Sequence, residues 1–271
     1  MQPEIQIFDR QLLQIKRSRT ARSLTNADFL IKHSLEDILE RLEDMNKKFP
    51  LILNLGSRTG YTSAQLSNRS GSLRVIDTDI SLELIKQNNS KDKIILDEEN
   101  LPFANNIFDL AISILNLHQI NDLPGCLIQL KNSLKPNGLL IASLFGEQNL
   151  FELRNILMQT ELQCFNGISP RFSPAIDIKQ LGGLLQRAGF DMPVVDKEAI
   201  KVNYSSPLKL LHDLRNMGET NIMHNRNKKY LGKDFWNQFN QNYIKNYGNS
   251  DGTVQASYEI ITLTAIKKID N

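Results

Sequence analysis

The stretch Leu51 to Gly60, LILNLGSRTG, limits how this chain can fold more than any other. Leu51, Ile52 and Leu53 run through Asn54 and Leu55 into Gly56, and a second glycine, Gly60, precedes Tyr61 and Thr62. A short apolar run of this kind reads as a buried strand that turns tightly and opens a helix. Glycine there permits a sharp bend and lets a ligand approach the bare main chain. The helix behind it aims free N–H groups at an anionic group. By itself the pattern also describes an ordinary tight turn. The elements that follow give it meaning.

Strands and helices alternate beyond it. Ser70-Gly71 reads as a turn, and Leu73 to Ile76 as a second strand ending at Asp77-Thr78-Asp79, before a helix from Ser81. Ile94 to Leu96 is a third strand ending at Asp97-Glu98, Phe108 to Ser113 a fourth, and Leu139 to Leu144 a fifth. Between the last two lies a helix with Pro124 at its first position, broken by Lys135-Pro136-Asn137-Gly138. Such alternation implies parallel strands with right-handed crossovers, an α/β doubly wound sheet. Upstream, Ser34 with Asp37 resembles a capping box opening a helix that carries Leu35, Ile38, Leu39, Leu42 and Met45 on one face. Downstream, helices are expected over 148–164, 177–188, 206–217 and 233–246, a sixth strand within Val194 to Tyr204, and a last strand over Tyr258 to Lys267. The economical organisation is one domain over 1–271: N-terminal helices or lid to residue 48, a ligand-binding core over 49–145, and late strands with helical insertions after it.

Composition excludes rather than assigns. A chain of 271 residues, 41% hydrophobic and 23% charged, is ordinary for a globular protein, and a net charge of +2 does not call for nucleic acid or an acidic membrane. Cys126 and Cys164 lie far apart, which argues against a disulfide framework or a zinc site and fits a reducing compartment. His33, His118, His212 and His224 show no ligand spacing, so no metal is expected. No apolar run is long enough for a transmembrane segment, and no signal peptide is read. Residues 10–22 hold Arg10, Lys16, Arg17, Arg19 and Arg22 without an acid. The run reads as a solvated helix face, as a mitochondrial presequence against which Glu4 and Asp9 count, or as a basic lid for a carboxylate-bearing substrate.

The acids at strand ends carry the chemistry. Asp79 follows the second strand about twenty residues past the glycine turn, where a carboxylate accepts both hydroxyls of an adenosine ribose. Asp77 competes for that role, but Asp79 immediately precedes a helix. Asp97 ends the third strand, where it can meet an adenine amino group. Together these acids outline an adenosine pocket at the carboxyl edge of the sheet. The glycine spacing lacks the third glycine of a dinucleotide fingerprint, so an adenosyl ligand with a small amino-acid tail fits better than a nicotinamide cofactor.

The words LILNLGSRTGY, IDTDIS, LDEENLPFANNIFDLAIS, LHQINDLP and LKPNGLLI resemble the class I S-adenosylmethionine (SAM)-dependent methyltransferases. FDR, FELR, GISPRFSP, LLQRAGF, VNY, DLRNMGETN and YGNSDGTVQASYEII narrow the likeness to the methyltransferase-like complex I assembly factors of mitochondria and their α-proteobacterial relatives. The resemblance implies a Rossmann-like seven-strand sheet with an antiparallel last strand, S-adenosyl-L-methionine as cofactor, and a role in maturing a respiratory complex I subunit. It also implies a place in the bacterial cytoplasm, or in the mitochondrial matrix of a eukaryote. In the eukaryotic branch the reaction has been linked to arginine hydroxylation rather than methylation. A non-catalytic assembly factor and a malonyl-carrier carboxyl methyltransferase are the other readings kept. Carried over by residue, Gly56 and Gly60, with Ser57, lie along the methionine moiety, Asp79 and Ile80 at the ribose, Asp97 and Glu98 near adenine, and Ser113 facing the cofactor. Two positions depart from the family pattern. Asn54 replaces an acid, keeping hydrogen bonding and losing charge. Arg58 replaces a glycine, with its side chain swinging outward, pairing with the cofactor carboxylate or obstructing the pocket.

His118, just past the fourth strand, is the candidate catalytic residue, able to take a proton or orient an acceptor. The competing reading is an imidazole bonded to loop backbone. Met217-Gly218-Glu219 reads as a helix end with a left-handed glycine, or with Asn221 as a grip on an arginine-bearing peptide. Trp236, the only tryptophan, reads as a packing anchor.

Overall fold

A computed structural model of the chain describes residues 6–69 and 73–268. Seven strands form one sheet: β1 Leu51–Leu55, β2 Arg74–Asp79, β3 Asp92–Ile95, β4 Phe108–Ile114, β5 Leu134–Phe145, β6 Phe190–Tyr204 and β7 Val254–Lys267. Their spatial order is β3-β2-β1-β4-β5-β7-β6, with β7 antiparallel to both neighbours and the other six strands parallel. This is the expected seven-strand sheet. The order reverses at β1, whose neighbours are β2 and β4, and the carboxyl ends there form the crevice where open α/β sheets bind ligands.

The central strands read as continuous apolar runs because both their faces are covered. Alternate side chains separate cleanly. Ile52, Leu110, Ile112 and Ile141 join one apolar layer with Ile38 and Leu39 of α2 (Phe29–Asp44). Leu53, Leu55, Ala111 and Leu140 join the opposite layer with Leu127 and Leu130 of α5 (Leu123–Ser133) and Leu181 and Leu185 of α7 (Ile178–Arg187). Fully burying each such leucine or isoleucine stabilises the fold by ~1.5–3 kcal/mol. The remaining helices are α1 Arg10–Thr20, α3 Tyr61–Arg69, α4 Leu82–Gln87, α6 Phe151–Phe165, α8 Pro207–Met217 and α9 Gly232–Tyr247.

Several local expectations change. Helix α2 starts at Phe29, so Ser34 lies inside it and caps nothing; its buried hydroxyl has no hydrogen-bond partner. Asp37 instead receives Arg41 one turn later, an i,i+4 pair. Strand β3 starts and ends earlier than Ile94 to Leu96. Lys135 to Gly138 do not form a loop: β5 already starts at Leu134, and a bulge with Asn137 at φ 62° absorbs the extra residues. Pro124 is the second residue of α5, whose N-cap is Asp122. Strand β6 is longer than expected and begins at Phe190. The turn at Ser70-Gly71 lies outside the described residues. Gly218 ends α8 in the left-handed conformation, φ 83°. Trp236 is partly buried against Phe235 and Phe239, edge to face with both.

Candidate functional site

The turn after β1 is built for a close approach. Gly56 and Gly60 have φ of 74° and 82°. A β-carbon on Gly56 would collide with the side-chain amide of Asn116, and one on Gly60 with that of Asn88. The protein's own amides therefore pack against the bare main chain. Ser57 sits between, its N–H donating to Thr78 O at 2.8 Å. Asn54 explains its own departure from the family pattern. It stands in register beside Asp77 and donates to that carboxylate at 2.7 Å. Asn88 donates to Asp77 at 2.7 Å, and Ser63 and Ser90 bond it as well. An acid at position 54 would face a buried acid, so amide and carboxylate share the pair between them. Asp77, fully buried in this network, is structural.

Asp79 is fully buried at the end of β2. Its oxygens accept the N–H of Arg58 at 3.0 Å and of Ser81 at 2.9 Å. Ile80 follows, its carbonyl accepting from Gln14 of α1 at 3.1 Å. Asp97 and Glu98 leave the end of β3 toward the same place. The structure thus brings the glycine turn, Asp79, Asp97 and Glu98 to one edge. Ser113, on β4, donates to Leu55 O at 3.0 Å and ties two strands together at that edge.

Helix α1 closes this edge. Arg10 and Arg17 are seven positions apart, two helical turns, and so share a face. Arg10 grips Asp97 at 2.6 Å and also bonds Glu98 and, at 2.9 Å, Gln119 O. Arg17, 1% exposed, bonds Asn116 and Gln119, and its Nη1 lies 3.7 Å from Asp79 and 3.6 Å from Glu98. A solvated basic face, the simplest reading of residues 10–22, holds only for Arg19 and Arg22. Arg10 and Arg17 meet the chain's own acids. Burial raises the Asp79 carboxyl above its ordinary value, and Arg17 offsets only part of that effect.

Arg58 points inward. It sits at φ 52°, a conformation suited to the glycine it replaces. Its guanidinium donates to Met217 O at 2.8 Å, Leu115 O at 2.9 Å and Glu219 at 3.4 Å. Burial and the neighbouring Arg17 hold its pKa below the ordinary arginine value. Glu219 is a hub: its Oε2 accepts from Gln119 at 2.8 Å and lies 3.0 Å from His118 Nε2. Burial pushes the Glu219 carboxyl up, but His118, Arg58 and Arg17 together bring it below its ordinary value. His118 is therefore held by a carboxylate rather than by loop backbone, and its Nδ1 is buried without a partner. With Nε2–H directed at Glu219, Nδ1 of a neutral ring carries the free lone pair.

Beside His118 opens a cavity of about 250 Å³. Phe145, Leu153, Leu157 and Phe172 make its apolar walls, and Asn149, Arg154 and Arg171 its polar ones. Sequence reasoning singled out neither Arg154 nor Arg171 as site residues, and it missed Asn116 and Gln119. For Arg10 and Arg17 a signal existed: an acid-free basic run and a cluster of strand-end acids complement one another.

Residues 53–142 match the family model described as methyltransferase domain. The human protein named arginine-hydroxylase NDUFAF5, mitochondrial, is 38% identical over 94% of this chain and 75% of its own length. RP459 of Rickettsia prowazekii (strain Madrid E) is 32% identical over 73% of this chain and 85% of its own length. A malonyl-acyl-carrier-protein O-methyltransferase 1 from Coxiella burnetii is 32% identical over 89% and 82%. Among solved structures, YcgJ from Bacillus subtilis superposes with a TM-score of 0.61 over 88% of this chain and all 100% of that one. At 14% identity this likeness is one of fold.

Proposed function

This chain belongs to the NDUFAF5 family of methyltransferase-fold proteins, and from that premise we propose that it is a SAM-dependent enzyme of the methyltransferase type, modifying a protein during assembly of respiratory complex I. The observation that carries the cofactor is the meeting of the glycine turn with Asp79, Asp97 and Glu98 at the switch point of the sheet. The donors those acids now receive, guanidinium and amide N–H groups, are the kind that ribose hydroxyls and an adenine amino group would offer. Arg17 Nη1 is buried with no hydrogen-bond partner. It occupies the place between Asp79 and Glu98 without being satisfied there, so the acids fit the adenosyl group once α1 yields. Asp79 and Ile80 would then hold the ribose, Asp97 and Glu98 the adenine, and Gly56, Ser57, Gly60 and Ser113 the methionine end.

When bound, SAM supplies an electrophilic methyl group. The chain's own part is positioning: His118, oriented by Glu219, presents Nδ1 to the neighbouring cavity, where it can hold or accept a proton from an acceptor. The relatives named arginine-hydroxylase suggest an arginine-bearing protein as partner. No helix among the described residues is long and apolar enough to cross a membrane. A bacterial cytoplasm, or the matrix for a mitochondrial member, is the proposed setting.

The insertion of Arg10, Arg17 and Arg58 favours a second reading, a non-catalytic assembly protein whose pocket its own arginines fill. Calorimetric titration with SAM and S-adenosylhomocysteine separates the two. We expect saturable binding by the native chain, loss in Asp79→Ala and tighter binding in Arg17→Gln. No binding by the native chain or by folded Arg17→Gln would establish the second reading.

A further inference from the structure

We propose that residues 171–175 and a second cavity beside them form a docking strip for an extended segment of a partner polypeptide. The residue to be modified enters the cavity next to His118, and a large apolar residue close to it in sequence seats in the second cavity. The proposal rests on the reading above in taking a protein as the substrate and the His118 cavity as its acceptor side.

The second cavity, about 410 Å³, lies against α6. It shares Arg154, Leu157 and the whole of segment 171–175 with the cavity beside His118, so the two hollows adjoin along that segment. The segment has no regular secondary structure, and none of its main-chain N–H or C=O groups bonds another described residue. The residues just before it are held: Pro170 O accepts from Asn221 at 2.8 Å, and the Ser169 N–H donates to Glu161 at 2.9 Å. A main chain anchored at one end, half-buried at Phe172 and Ser173 and unpaired throughout is a place where another chain supplies the partners. Pro174 biases Ser173 toward the extended backbone that such pairing needs. Strand addition draws its affinity from main-chain groups and its specificity from pockets for alternate side chains.

The lining says what the second pocket takes. Leu157, Met158, Ile168, Pro170 and Phe172 make apolar walls. Its charges, Glu147 and Glu161 against Arg154 and Arg171, balance one another, so an uncharged side chain complements it and a charged one does not. Met158 and Ile168 are nevertheless exposed, as is Leu162, one turn on from Met158 on the same face of α6. Apolar surface left open where an acceptor cavity continues marks a contact for a partner.

The test uses two blocked peptides, Ac-Gly-Leu-Gly-Arg-Gly-Leu-Gly-NH2 and its counterpart with serine for both leucines, titrated calorimetrically into the full chain without cofactor. The arginine follows the name of the relatives. Leucines two positions to either side share its face of an extended chain. The leucine peptide is expected to bind roughly tenfold tighter or more, the worth of burying one such side chain. Met158→Glu, on an exposed helix face, should abolish that preference. A third peptide, with sarcosine for glycine, loses main-chain donors and should bind roughly fivefold weaker or more than the leucine peptide. Equal affinities of the leucine and serine peptides, a preference retained in folded Met158→Glu, undiminished binding of the sarcosine peptide, or no binding at all would overturn the proposal. So would a dimer of the native chain in sedimentation that Met158→Glu dissolves, since it assigns this face to a second copy. Because cofactor is left out, a failed SAM titration and a failed peptide titration are separate results.

Discussion

Two charged regions share the carboxyl edge of this sheet, and the chain treats them in opposite ways. On the side of β1, β2 and β3, Asp79, Asp97 and Glu98 converge and α1 brings Arg10 and Arg17 against them. Past β4 and β5, Arg154, Arg171 and His118 border an open cavity and keep donors and a lone pair without partners. The first region is acidic by its strands and neutralised by a helix. In the second, Arg171 is paired with Glu161, and Arg154 has no carboxylate partner among the described residues. Glu219 and Arg58 stand at the border and belong to both. The same residue type has the task of holding the chain's own acids on one side and, at Arg154, of holding backbone carbonyls and a ring on the other. What separates the tasks is whether a carboxylate of the chain itself is in reach.

The sharpest way to break that contrast is Arg17→Ala. It leaves Asp79 and Glu98 buried and facing one another without their shared cation. Removing one partner of a buried charge cluster destabilises by ~3–5 kcal/mol, which urea unfolding would read directly. A loss under about 1 kcal/mol would mean that α1 lies on the acids without stabilising the fold.

Glu219→Gln tests the border and should destabilise by ~1–3 kcal/mol near neutral pH. Its pH dependence has a fixed sign. The folded carboxyl titrates below its ordinary value, so the unfolded chain binds more protons on the acid side. Its contribution is complete above the unfolded carboxyl's pKa and is lost as pH falls through the folded one. The variant should lack that part of the acid-side slope. Asp79 contributes with the opposite sign, because its folded value is raised. An unchanged slope in Glu219→Gln would show that His118 and Arg58 do not act through this carboxylate.

The smallest expected effect sharpens the comparison most. Arg154→Gln should change stability by about 1 kcal/mol or less, since the side chain loses two carbonyl contacts and a ring contact at a partly exposed site. An effect as large as that of Arg17→Ala would make Arg154 a structural residue like its counterpart.

Much of the fold was legible because its signals are local. Alternation of apolar runs gave the parallel core, and Gly218 ended its helix where left-handed glycine was expected. The failures have local causes too. Ser34 and Asp37 imitate a helix start inside a helix whose true first turn, Phe29 to Lys32, carries no acid to announce it. Lys135 to Gly138 hold two strong turn formers, yet pairing of β5 with β4 takes them up as a bulge. In the site, Gly56, Asp79 and Asp97 could be put at this edge from spacing, because each ends or follows a strand, and Glu98 came with the family resemblance. Arg58 could be flagged but its direction could not, since its acceptors, Leu115 and Met217, come from distant segments.

The sequence by itself determined the sheet, its switch point and the set of acids there, since period and punctuation are properties of neighbouring residues. Only the tertiary structure decided which of those acids are already taken. Residues 10–17 and 79–98 meet after the sheet has formed, and whether a charge faces solvent, a partner or an empty cavity depends on that meeting. Burial then fixes the outcome, because a guanidinium out of water must find an acceptor in the chain or in a ligand.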